Sequence, residues 1–131
     1  MTDPDDFWNN YRVFAMSLDF LARGPEEQCA LMGNYNVAWE LKTDVQAGAY
    51  LVASSPEMFS VAQAESIRAL SLGLETIPTD VLNAAVGAEL NAAAMRHEVW
   101  IPLRHRAASL LSALALLNAR CEAFLSTEVP E

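Results

Sequence analysis

Residues 102–125 read PLRHRAASLLSALALLNARCEAFL, and this stretch decides the fold. Leu103, Ala107, Leu110, Leu114, Leu117, Cys121 and Phe124 recur at alternating steps of four and three, the seam of a helix laid along another helix. Leu111 and Leu125 widen that stripe. The opposite side carries Ala108, Ser112, Ala115, Ala119 and Ala123, small enough for a second layer to pack there. The expectation is one long helix from Pro102, running through the middle of an all-α domain.

The N-terminal stretch repeats the pattern. Phe7, Tyr11, Phe14, Leu18 and Leu21 show the same four–three spacing, which predicts a first helix paired with the Pro102 helix. Asp3 is placed to cap it, Pro4 suits its first turn, and Asp5 and Asp6 stand where the helix dipole favours anions. Gly24-Pro25 stops it and opens a second helix with Glu26 and Glu27 in the first turn. Gly33-Asn34 punctuates again.

From Tyr35 to about Ala53 a third helix shows three faces. Val37, Leu41, Val45, Ala49 and Val52 form an aliphatic stripe for the core. Asn36, Glu40 and Asp44 form a polar row, and Tyr35, Trp39, Thr43, Gln46 and Tyr50 a mixed aromatic and polar strip. Ser60 with Gln63 is a capping box, which predicts a helix to about Glu75 with Ala64, Ile67, Leu70 and Leu74 buried. Thr79 or Asp80 caps a fifth segment reaching Arg96. Val81, Leu82, Val86, Leu90 and Met95 are its apolar positions, and Gly87 divides it or weakens it. His97–Ile101 reads as a connector, Trp8 and Trp100 as core, and residues 126–131 as a frayed tail. The sum is a single all-α domain over residues 1–131, a bundle of five to six helices.

Composition narrows the partners. Eight basic against seventeen acidic residues give a net charge of −9, and such a surface repels nucleic-acid phosphates and anionic membranes while attracting basic proteins. Cys29 and Cys121 lie in apolar runs, with no Cys-x-x-Cys and no Cys/His cluster, as for buried thiols in a reducing compartment. The first residues are acidic where a leader is basic, and the longest apolar run, Ala107–Leu117, is far too short for a span. A cytoplasmic protein is expected.

Catalytic motifs are lacking. There is no GxSxG, no Glu-x-x-His pair for a di-iron site and no glycine-rich phosphate loop, so no catalytic residue, cofactor or metal is assigned. Arg96, His97, Arg104 and His105 concentrate cations near the start of the Pro102 helix, a weak anion site or a cluster answered by the protein's own acids, such as Glu98 or the Asp3–Asp6 run. The strip on the third helix carries more. Trp and Tyr anchor protein interfaces, and a rim of Glu and Asp around an aromatic centre is how a recognition surface is built. Tyr35, Asn36, Trp39, Glu40, Thr43, Asp44, Gln46 and Tyr50 are therefore the expected partner-binding residues of a small acidic binding module, inhibitor-, immunity- or adaptor-like, with a basic protein partner. Two other classes stay open. One is a small-molecule or metal-dependent enzyme with a pocket near Asn36, Glu40 and Asp44. The other is a self-assembling structural protein whose seams pair between chains, making a homo-oligomer.

Overall fold

Helix α1 (Pro4–Ala22) lies at the centre of the computed structural model, which describes residues 4–33, 35–83 and 87–128. All five positions of its expected stripe are buried. Phe7, Trp8, Tyr11 and Phe14 form a chain of ring contacts that reaches Phe59 and Phe124, with centroids 5.0–6.4 Å apart. Such pairs add to the area they bury, so this cluster anchors the core. Around α1 stand α2 (Pro25–Met32), α3 (Val37–Ser54), α4 (Val61–Leu74), α5 (Thr79–Leu82), α6 (Ala88–Met95), α7 (Trp100–Ala113) and α8 (Ala115–Glu128), with one 3-10 turn at Pro56–Met58. There is no strand among the described residues. The fold is all-α.

Among the described residues eight helices stand where five to six were expected, because two segments are each divided. The segment after Pro78 becomes α5 and α6, and Gly87 before α6 takes φ 133°, a backbone conformation open to glycine. Thr79 and Asp80 begin α5 but do not cap it; Pro78 is the cap position, with no side-chain bond. The Pro102 helix starts two residues early, at Trp100, and bends by 66° at Leu114. No proline or glycine marks that bend. Tertiary contacts favour it: Gln63 Nε2 of α4 donates to the Ala113 carbonyl, and turning α8 brings Asn118 to Tyr11 and Cys121 to the Trp8 carbonyl. The single helix expected from Pro102 is thus two, α7 and α8. The helix packed on most sides is α1, which runs along α3, α7 and α8.

The Leu/Ala stripe itself is correct. Leu103, Ala107, Leu110, Leu114, Leu117 and Cys121 are buried and Phe124 is half-buried. The Ala/Ser side does not receive a second layer, because Ala108, Ser112, Ala115, Ala119 and Ala123 are exposed. Residues 126–128 form the last turn of α8. Asp3, Asn34, Val86 and the tail 129–131 lie outside the described residues. No single helix among the described residues is long and apolar enough to cross a membrane.

Candidate functional site

Where α3 begins and what holds it decide how the aromatic strip is presented. The helix starts at Val37, so Asn36 is its cap rather than a member of the polar row. Its Oδ1 accepts from Trp39 N–H at 3.1 Å and its Nδ2 donates to Leu82 O at 2.8 Å. The buried Asn91 of α6 extends Oδ1 to the Val37 N–H at 2.9 Å and donates from Nδ2 to Gly87 O at 2.9 Å. Two of the orphan donors of the first turn are thereby satisfied by amides, and the turn is tied to both α5 and α6. Both ends of the Asn36 amide are engaged in this capping role. On the core side, Val37, Ala38, Leu41, Val45, Gly48, Leu51 and Val52 are buried, and Ala49 is half-buried.

The outer side of α3 is open. Tyr35 is 66%, Trp39 51% and Tyr50 74% exposed. The other two tryptophans and the other tyrosine, Trp8, Trp100 and Tyr11, are buried, and Trp100 Nε1–H donates to Ala94 O at 2.9 Å. Trp39 and Tyr50 are eleven residues apart, which on an α-helix is about 16 Å along the axis and roughly 20° around it. They project from one face, with Thr43, Gln46 and Ala47 between them. Thr43 Oγ1 bonds the Trp39 carbonyl at 2.8 Å, so it presents its methyl and small bulk.

A polar chain along one edge joins this face to α4. Lys42 Nζ lies 5.8 Å from the centre of the Trp39 ring, 3.1 Å from Gln46 Oε1 and 3.6 Å from a Glu75 carboxylate oxygen. Gln46 Nε2 donates to Ser71 O at 3.0 Å. The Lys42 contact holds the indole by its face. Lys42, Ser71 and Glu75 were not anticipated; Lys42 is legible as the residue three after Trp39, whereas Ser71 and Glu75 come from another helix. Along the other edge, Glu40 and Asp44 are half-buried. Burial raises the Asp44 carboxyl above its ordinary range, so its charge is held there at some cost in stability.

The cations near the start of α7 are divided between two sides. Arg96 pairs with Glu26 at 3.1 Å; a backbone hydrogen bond, and after it this pairing, draws the Glu26 carboxyl downward. Arg104 donates to Gln28 Oε1 at 3.0 Å and to the Met95 carbonyl, closing the end of α6. Burial draws the Arg104 pKa down. His97 turns Nδ1 to the Val99 N–H at 3.0 Å. Glu26 answers Arg96 within the chain. His105, exposed, lies elsewhere, with Arg106 in a groove against α4.

Among the described residues no three His, Cys, Asp or Glu side chains come together as a metal site. Two cavities, of about 420 and 310 Å³, lie between α4 and α7 and between α1 and the α7–α8 bend; neither is lined by Asn36, Glu40 or Asp44. The chain matches no protein-family model, no curated protein and no solved structure.

Proposed function

We propose that the chain is a small acidic protein-binding module of the inhibitor, immunity-protein or adaptor kind, which sequesters a basic protein through the outer face of α3. The observation that carries this reading is the division of its large polar-edged aromatics: three are core, and the three that face solvent are gathered on or beside one helix. Exposing Trp and Tyr together is costly in water and useful at an interface, where they bury large area with few rotamers to freeze. The amide ties from Asn36 and Asn91 hold that face in place before binding, which lowers the ordering cost of association.

In this reading Trp39, Tyr35 and Tyr50 are the apolar anchors. Glu40 and the destabilised charge of Asp44 select a basic partner and speed its approach, within an overall charge of −9. The two free cysteines suit a reducing compartment, and we place the protein in the cytoplasm. The stripes of α1 and the α7–α8 pair, whose pairing between chains would make filaments or oligomers, meet within one chain.

The test is affinity capture from a lysate of the native host, with a Trp39→Ala/Asp44→Lys variant as control. A basic protein held in stoichiometric amount by the wild type and lost by the variant supports the reading. Equal capture by both, or capture of the chain's own copies alone, refutes it; the second result favours self-assembly.

A further inference from the structure

The larger cavity differs in charge from the rest of the molecule. It is a groove between α4 and α7, about 420 Å³, with Leu110 in its floor and Ser66, Ala69, Ser109 and Ala113 along its walls. Both ends are set by contacts between the two helices. At one end Gln63 reaches across to the Ala113 carbonyl at 3.0 Å. At the other, α4 comes so near α7 that a Cβ on Gly73 would lie 2.9 Å from a Leu103 methyl and 3.7 Å from an Arg106 nitrogen. Between these closures the small side chains leave space unfilled.

The groove's ionisable lining is His105 and Arg106, with no Asp or Glu, in a chain with an excess of nine negative charges. Among the described residues Arg106 forms no salt bridge, as is also true of Arg12, Arg68, Arg104 and Arg120, while Arg23, Lys42 and Arg96 each pair with an acid of the chain. The second cavity is different in kind, since Asp19 and Glu122 stand beside Arg12 in its lining. A guanidinium beside an apolar floor fits a carboxylate carried on a hydrocarbon body.

We propose that the α4–α7 groove binds a small anionic amphiphile, an alkyl or aryl carboxylate, with the carboxylate on Arg106 and His105 and the apolar body over Leu110. This site lies apart from the aromatic face of α3 and does not depend on the protein-binding reading.

The probe is decanoate, with decanol and decylammonium as neutral and cationic controls, each below its micellar concentration, followed by backbone amide NMR shifts. Decanoate is expected to give saturable shifts at Ser66, Ala69 and Ser109 and to bind at least about tenfold more tightly than either control, because only it forms the charge-assisted pair. Arg106→Gln removes that advantage, and Arg23→Gln, which changes net charge equally at a distant surface, leaves it intact. Equal affinity for decanoate and decanol overturns the proposal, as does the absence of saturable shifts. Shifts confined to Met16, Leu111 and Leu125, which line the other cavity, overturn it too.

Discussion

Gly48→Ala should destabilise this protein although it replaces a glycine in a helix interior. In an open helix the change gains about 1 kcal/mol. At position 48 the added methyl meets the Phe14 ring, with ring carbons 2.3, 2.8 and 2.8 Å from the new carbon. Phe14 is buried and stacks edge-on against Tyr11 at 6.0 Å, so the ring has nowhere to retreat without disturbing the aromatic cluster. Overpacking of this kind costs about 3 kcal/mol at the upper end of its usual range. The net loss is then about 2 kcal/mol, since the helix-propensity gain offsets part of the clash. For a chain of this length that lowers the melting temperature by roughly 8 °C. Urea unfolding followed by tryptophan fluorescence measures it. In a Phe14→Leu background the same Gly48→Ala change should cost little, giving a coupling of at least about 1 kcal/mol. An unchanged or raised stability for Gly48→Ala, or the same loss in both backgrounds, would show that α1 and α3 do not cross at this point.

Three further outcomes are expected. Gln28→Ala removes the buried amide that donates to Phe20 O and Leu21 O at 3.1 and 3.0 Å and accepts from Arg104; stranding those groups should cost about 2–3 kcal/mol in urea unfolding, and a loss near zero would mean the ties are replaceable by water. Asp44→Asn should stabilise the protein at neutral pH. Burial raises the Asp44 pKa in the folded state, so the stability linked to its protonated form is complete below the unfolded pKa and is lost as pH rises through the folded one. The advantage of the Asn variant should accordingly shrink as the pH falls through that window, and a pH-independent difference would contradict the assigned cause. Once a partner is in hand, Asp44→Lys should slow association chiefly at low salt, whereas Trp39→Ala should speed dissociation; stopped-flow kinetics at two ionic strengths separate the two effects, and an identical response from both variants would remove the distinction between steering charge and anchor.

Periodicity was a sufficient guide wherever a helix rests on the core along its whole length. The buried stripes of α1 and α4 follow their sequence spacing position by position, and the Ser60–Gln63 capping box forms as read. The same spacing could not reveal the bend at Leu114. That break depends on Gln63, Tyr11 and Trp8, residues far off in the chain, and no Gly or Pro announces it. Buried polar relays were illegible for the same reason: Gln28 meets Arg104 and Asn91 meets Val37 only once the helices have docked. The groove was hidden because neighbouring residues of one helix point to different neighbours. Arg104 turns to α2 and the end of α6, while Arg106, two residues later, turns to α4. Of the expected binding residues, Tyr35, Trp39, Thr43 and Tyr50 are exposed as the helical wheel requires. Asn36 is the helix cap rather than a member of the polar row, because α3 starts at Val37, two residues after Tyr35.

The most direct measurement uses the three tryptophan indole N–H resonances, assigned by single substitution and followed as the captured partner is titrated. Trp8 and Trp100 are buried and Trp39 is half exposed on the α3 face, so each resonance reports a different part of the molecule. Binding through α3 should move the Trp39 resonance to saturation at the stoichiometric point and leave those of Trp8 and Trp100 in place. A Trp39 resonance that stays unmoved in the fully formed complex would contradict the assignment of this face to the partner.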